Sequence, residues 1–301
     1  MTQTLVVGGG FGGIASALRS RALGHEVTIV DRLSRLGGRA QVFEREGFKH
    51  DAGPTVITAP FLFEELFALF DRELADYVTI VPLDTWYEFY FDDGQTFSYK
   101  GDIEHTYAEI ARFNEKDVEG YKALLRLSKS IFEVGFEQLS ASPFTSFSTM
   151  LKQVPALLKL KSYHTVYGLV SRFIKDEHLR KVFSVHPLLV GGNPYTTTSI
   201  YTLIHYLERK WGVHFCMGGT GALVDALTRL MVEQGITVRL ETDVTAIRIE
   251  NGRARGIDTA MGNFIAADNV VFNGDAPYAY KHLLPSNLRR QPIRRPDKLT
   301  K

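Results

Sequence analysis

"LVVGGGFGG", residues 5–13, decides how the N-terminal part of this chain folds. Thr4 to Val7 is a short, largely apolar run rich in β-branched residues, the composition of a strand buried in a parallel sheet. The glycines that follow fit G-x-G-x-x-G at Gly8, Gly10 and Gly13, with Phe11 and Gly12 inside the loop. Ile14 to Leu23 has a helical pattern, and Gly24 is placed to stop it. Glu26 to Val30 reads as a second strand, and it ends in Asp31. Gly8 permits the tight turn and Gly10 lets the backbone approach a pyrophosphate. Gly13 lets helix and strand pack closely, and the helix N-terminus attracts the anion. Asp31, followed by Arg32, is placed to accept hydrogen bonds from a ribose diol. A turn that binds nothing would explain a lone motif, but not this whole unit.

The next stretch is "VDRLSRLGGRA", residues 30–40. A second glycine pair, Gly37-Gly38, follows the acidic residue closely, flanked by Arg35 and Arg39. A nicotinamide dinucleotide does not need it, so a plain NAD dehydrogenase leaves it unexplained. FAD is longer. Its pyrophosphate and ribityl chain must be held beyond the first turn, and two glycines with guanidinium groups serve that end.

The pattern "GGGFGG…VDR…RLGGRA" resembles the FAD-dependent amine-oxidase and carotenoid-desaturase superfamily. Residues 183–227, "FSVHPLLVGGNPYTTTSIYTLIHYLERKWGVHFCMGGTGALVDAL", resemble the bacterial and fungal phytoene desaturases within it. The resemblance covers essentially the whole chain. It implies that Asp51, Gly53, Pro54 and Thr55 form a loop approaching the flavin. It also implies that the strand around Val244 meets the adenine through its backbone. Asn273 and Asp275 then mark the strand end where the chain returns to the nucleotide domain. Family members run on beyond this length, to a C-terminal glycine-rich segment that completes the flavin site. This sequence is therefore expected to be C-terminally truncated.

Between these landmarks the sequence is less specific. Pro60 opens a helix whose Phe61, Leu62, Phe63, Leu66, Phe67, Leu69 and Phe70 read as core packing, with a substrate wall second. "TWYEFYFDDGQTFSYK" reads as a hairpin turning at Asp93-Gly94. Residues 103–139 read as helices broken near Phe113-Asn114. Residues 140–174 are apolar and aromatic, interleaved with Lys152, Lys159, Lys161 and Arg172. They fit a helix pair lying in a lipid interface or a helical lid. Ile200, Leu203, Ile204 and Leu207 form a stripe expected in a core. Gly218 to Gly221 either approaches a ligand or caps the following helix. Asn251-Gly252 is a hairpin turn.

Composition narrows the classes. The 301 residues carry a net charge of +1, so no basic field points to nucleic acid. One cysteine, Cys216, excludes an internal disulfide framework and suits a reducing cytosol. No signal peptide is read at the N-terminus, and no run of apolar residues is long enough to span a bilayer. The nine histidines show no ligand spacing, so no metal is expected.

The fold class expected is α/β. Residues 1–82 and 212–285 form a discontinuous Rossmann-like FAD/NAD(P)-binding domain. Residues 83–211 are an inserted α+β substrate and membrane-facing region, and 286–301 a basic tail. The resemblance implies FAD as cofactor and phytoene or a related C40 carotenoid as substrate. It also implies a neurosporene- or lycopene-type product, a quinone or oxygen as electron acceptor, and a peripheral place on the cytoplasmic face of a membrane. A proton leaves one carbon and a hydride goes to the flavin. Asp51, Arg39 and His186 are candidate bases by residue type alone. Two alternatives stay open: a sister flavoenzyme on the same scaffold, and an inactive remnant.

Overall fold

The computed structural model describes residues 1–138 and 163–285. The described residues divide into two compact units. One comprises residues 1–55, 61–80 and 216 onward, and the other residues 56–60 and 81–215. The sequence places these changes after residue 82 and before 212. The units change after Ile80 and before Cys216, and Val56–Pro60 packs within the second unit. The basic tail, 286–301, lies outside the described residues.

The first unit is built on a four-stranded parallel sheet. Its spatial order is Asn269–Phe272, β1 (Gln3–Val7), β2 (Glu26–Val30) and Thr237–Arg239. Strands β1 and β2 are joined by the helix α1 (Phe11–Ala22). Ile14, Ala17 and Leu18 of α1 are fully buried, and the two larger ones contribute roughly 1.5–3 kcal/mol each. Beyond the C-cap, Gly24 takes the left-handed conformation at φ +84°, which a residue without Cβ adopts at little cost. The other side of the core joins Leu5, Val7 and Val30 to Val244, Ile247 and Ile257. These last three belong to an antiparallel sheet of Val244–Glu250, Arg253–Thr259 and Phe264–Ala266. Its first turn, Asn251-Gly252, has both residues at positive φ, as a type I′ turn requires.

The second unit packs the hairpin Thr85–Tyr90/Thr96–Lys100 against helices that include Ile103–Asn114, Asp117–Phe132 and Glu177–Phe183. Tyr121 stacks on Phe183 with ring centroids 4.5 Å apart, and its hydroxyl meets that of Tyr99 at 2.8 Å. Asp117 is buried, and its carboxylate accepts from the Lys175 and Asp176 amides at 2.7–2.9 Å. That pairing fixes a loop to the start of a helix.

Three sequence readings are refined here. The helix Phe61–Ala68 buries only Leu66 and Phe67; Leu62 and Leu69 are exposed. It packs by one side, through Phe63 on Phe11 and Phe67 on Tyr77. Of the stripe Ile200, Leu203, Ile204 and Leu207, Leu207 is buried, and Ile200 and Leu203 are half-buried against the core pair Ile131 and Leu169; Ser199, Thr202, His205 and Glu208 are the most deeply buried. Residues 199–202 form a 3₁₀ turn, so positions three apart align there and the buried face rotates onto polar residues. Of the segment read as an interfacial helix pair or a helical lid, residues 140–162 lie outside the described residues. Its end, the helix Val166–Phe173, buries Val166, Leu169 and Val170 in the core.

Candidate functional site

The glycine turn after β1 is packed to the limit. A Cβ on Gly13 would lie 1.9 Å from the Gly8 carbonyl, and Gly8 itself sits at φ +100°. The start of α1 therefore rests on the turn, where only glycine fits. No side chain caps α1, and its first turn carries no carboxylate. Its leading N–H groups have no partner within the helix. They present a partial positive charge suited to a phosphate.

The second glycine pair closes on the first. Gly37 N donates to Gly9 O at 2.8 Å, and Gly10 and Gly37 form a parallel bridge. Gly38 sits at φ +57°, and a Cβ there would stand 3.0 Å from Gly10 Cα. Leu36 is buried beneath, where a Cβ on Gly9 would strike it at 2.2 Å. Gly8–Gly13 and Gly37-Gly38 thus form one clasp.

Asp31 holds the clasp from below. Its Oδ2 accepts from Gly9 N at 2.7 Å and its Oδ1 from Leu33 N at 2.9 Å. A carboxylate has about four lone-pair sites, so about half its capacity remains for a ribose. Backbone bonds from Asp31 N to Arg239 O and from Thr242 N to Asp31 O bring the segment leading to Val244 alongside. Asn273 N donates to Val7 O at 2.8 Å, and the Asn273 side chain lies against Gly8, Gly12 and Gly13. Asp275 is exposed at the start of the short helix after it.

The loop Asp51–Thr55 reaches the same unit by a different route. The hairpin Val42–Arg45/Phe48–Asp51 delivers it. A Cβ on Gly53 would lie 2.1 Å from Arg39 O, so the loop touches the backbone that carries Arg39. Pro54 and Thr55 are exposed. The Asp51 carboxylate lies over the N-terminus of the helix Gly219–Glu233, where a Cβ on Gly219 would meet its oxygens at 2.5 and 2.9 Å. Thr220 Oγ1 donates to Pro54 O at 2.5 Å. Gly219 and Thr220 therefore hold the loop, a part the sequence did not assign them. The T-G stretch before a helix was the signal available.

The charged groups differ in freedom. Arg35 pairs loosely with Glu44 and Asp225, each at 3.9 Å. Arg32 and Arg39 are exposed, and Arg39 has no carboxylate partner among the described residues. Burial pushes the Cys216 thiol above its ordinary range, and the nearby Asp51 carboxylate adds to the effect, so it is a poor nucleophile. His186 belongs to the second unit and is 1% exposed. Its Nε2 lies 3.0 Å from Glu208 Oε2, whose other oxygen accepts from Tyr87 OH at 2.8 Å. That is a structural cluster, not an accessible base. No group of three or more metal-ligating side chains occurs among the described residues. No helix among them is long and apolar enough to cross a membrane.

The clasp fits a dinucleotide. The α1 N-terminus with Gly10, Phe11 and Gly12 can take the pyrophosphate, and Asp31 a ribose diol. Arg39 and Gly38 suit the second phosphate side.

The family described as flavin containing amine oxidoreductase matches residues 11–299. A phytoene desaturase (lycopene-forming) of Pseudescherichia vulneris is 45% identical over 284 residues, 94% of this chain and 58% of the relative. A phytoene desaturase (neurosporene-forming) of Rhodobacter capsulatus is 39% identical, over 94% of this chain and 54% of the relative. The chain thus spans less than two thirds of the curated relatives it matches. Among solved structures, an oxidoreductase from Methanosarcina mazei superposes with a TM-score of 0.61 at 20% identity, covering 90% of this chain and 58% of the other. That likeness concerns the fold alone.

Proposed function

The chain belongs to the flavin-containing amine oxidoreductase family, and on that premise we propose that it is a carotenoid desaturase acting on phytoene. FAD is its cofactor. The observation that carries the reading is the double-glycine clasp with Arg39 at its edge, which has no carboxylate partner among the described residues. The substrate comes from the relatives, which are named phytoene desaturases.

When bound, FAD supplies the hydride acceptor that turns a C–C single bond of the polyene precursor into a double bond. This chain's residues do the holding. The N–H groups at the start of α1 and the Arg39 guanidinium bind phosphate oxygens. Asp31 orients a ribose while keeping Gly9 and Leu33 in place. Gly53 and Pro54, pinned by Thr220, set how closely the loop backbone comes to Arg39. The carbons to be oxidised are barely activated, so alignment and exclusion of water carry much of the rate. The products are of the neurosporene or lycopene type. A quinone or oxygen reoxidises the flavin. The water-insoluble substrate is taken up from the cytoplasmic surface of a membrane, to which the protein binds peripherally.

The test is desaturation of phytoene in liposomes by the FAD-loaded chain, with quinone added and the polyenes separated by chromatography. Longer conjugated products are expected. Unchanged phytoene beside a working full-length relative refutes the reading.

A further inference from the structure

We infer that residues 186–195 of the second unit form the element that seats this protein on an anionic lipid surface. The inference rests on the reading above, in which the substrate is delivered by a membrane, and it names the contact. The stretch begins as a 3₁₀ turn, His186–Val190, ended by Gly191 at φ +75°. That turn buries His186 and Pro187 and leaves Leu188, Leu189 and Val190 at 59%, 39% and 58% exposure. Three consecutive exposed aliphatic side chains form an apolar patch of the kind that marks an interaction surface. A further exposed ring follows them, Tyr195, which stacks on Tyr167 with centroids 4.6 Å apart.

The same residues border a cleft of about 590 Å³, walled by Tyr167, Lys181, Ser184, Leu188, Pro194 and Tyr195 among others. The buried Ser184 has an Oγ with no protein partner. Lys181 is the charged residue at the cleft, and its hold on Glu177, at 3.9 Å, is loose. Between Glu177 and Glu208 the sequence contains no Asp or Glu, while Arg180 and Lys181 are cationic. The stretch 186–195 itself carries no carboxylate and Lys181 is the charged residue at its edge, so this stretch suits a negative surface. Aliphatic tips, amphipathic tyrosines and a lysine at the edge are what an interface between headgroups and acyl chains selects. The lysine takes a lipid phosphate as the aliphatic tips enter the acyl region.

Co-flotation of the FAD-loaded chain with phosphatidylcholine vesicles, with and without phosphatidylglycerol, tests this. Binding is expected to be stronger when anionic lipid is present. The double substitution Leu188→Ser/Val190→Ser should weaken binding to both kinds of vesicle by about tenfold or more. Lys181→Gln should weaken only the anionic case, by roughly fivefold. All these positions are exposed, so thermal unfolding and flavin content should match the unsubstituted chain. Failure to float, or variants floating as well as the parent, overturns the inference. So does a concentration-dependent dimer abolished by the serine pair, which would mean that a second copy covers this face. Desaturation of detergent-dispersed phytoene reads the enzymic proposal separately. A chain that desaturates but does not float refutes the lipid contact alone, and one that floats but does not desaturate refutes only the activity.

Discussion

Replacing Asp31 by Asn tests whether one carboxylate holds the cofactor clasp. The side chain is 7% exposed and accepts two backbone hydrogen bonds, from Gly9 and Leu33. Asn keeps the shape but has one acceptor oxygen. Whichever way the amide is turned, its NH₂ faces one of the two backbone donors. One charge-assisted bond is lost, worth about 1.5–3 kcal/mol, and the remaining one becomes neutral. The expected loss is about 2–3 kcal/mol in the first unit, a large share of a typical 5–15 kcal/mol. Trp86 and Trp211 both lie in the second unit, so tryptophan fluorescence reports the wrong part of the chain. Urea unfolding followed by far-ultraviolet circular dichroism is the assay, with hydrogen exchange of the Gly9 and Leu33 amides beside it. With a slope of about 2 kcal/mol per molar urea, the transition of the first unit should fall by about 1 M. Both amides should exchange faster. An unchanged midpoint with unchanged protection refutes the idea that Asp31 braces the first glycine loop.

Other outcomes follow from the same geometry. Glu208→Ala strands Tyr87 OH and His186 Nε2 in the core and should cost about 3–5 kcal/mol, read by Trp86 fluorescence during unfolding; Glu208→Gln should recover more than half. Gly13→Ala forces a Cβ to within 1.9 Å of Gly8 O and should abolish flavin retention. Gly24→Ala, at φ +84° with open space around it, should cost only about 1 kcal/mol and leave flavin content unchanged. Burial, with the neighbouring His186 adding to it, holds the His205 imidazole well below its ordinary 6.5. The folded state then resists a proton that the unfolded state takes up. Stability from this group is complete above pH 6.5 and should fall by about 1.4 kcal/mol per unit as the pH drops below it. Denaturant melts of the second unit between pH 7.5 and pH 5 check the slope; a flat profile contradicts it.

The strand–turn–helix–strand unit of residues 3–31 was legible because everything that defines it is local: glycine spacing, helical period and a terminal acid. The hairpin turns at Asp93-Gly94 and Asn251-Gly252 were legible for the same reason. The buried face of residues 199–208 was not. Thr202, His205 and Glu208 look like solvent-facing residues until Ser128, Phe183, Tyr87 and His186 arrive from 22 to 121 positions away. A 3₁₀ start also shifts the period, so the aliphatic stripe marks the edge of the buried face rather than its centre. In the candidate site, the second glycine pair raised its own question in the sequence, and the structure answers it: Gly37-Gly38 is the other half of the clasp. The support of Asp51 and Pro54 by Gly219 and Thr220 joins positions 166 and 168 residues apart and left no local pattern. Residues 61–70 show the opposite failure. Apolar composition suggested burial all round, but a short helix resting on one side buries only what that side carries.

The account's central claim is that residues 8–13 and 37–39 form one FAD-holding clasp, and flavin content tests it most directly. The chain is purified with FAD present, freed of unbound flavin and heat-denatured, and the released FAD is quantified against folded protein. The account predicts close to one FAD per chain, falling sharply in Gly13→Ala and Arg39→Ala. A well-folded chain that releases no FAD would contradict it.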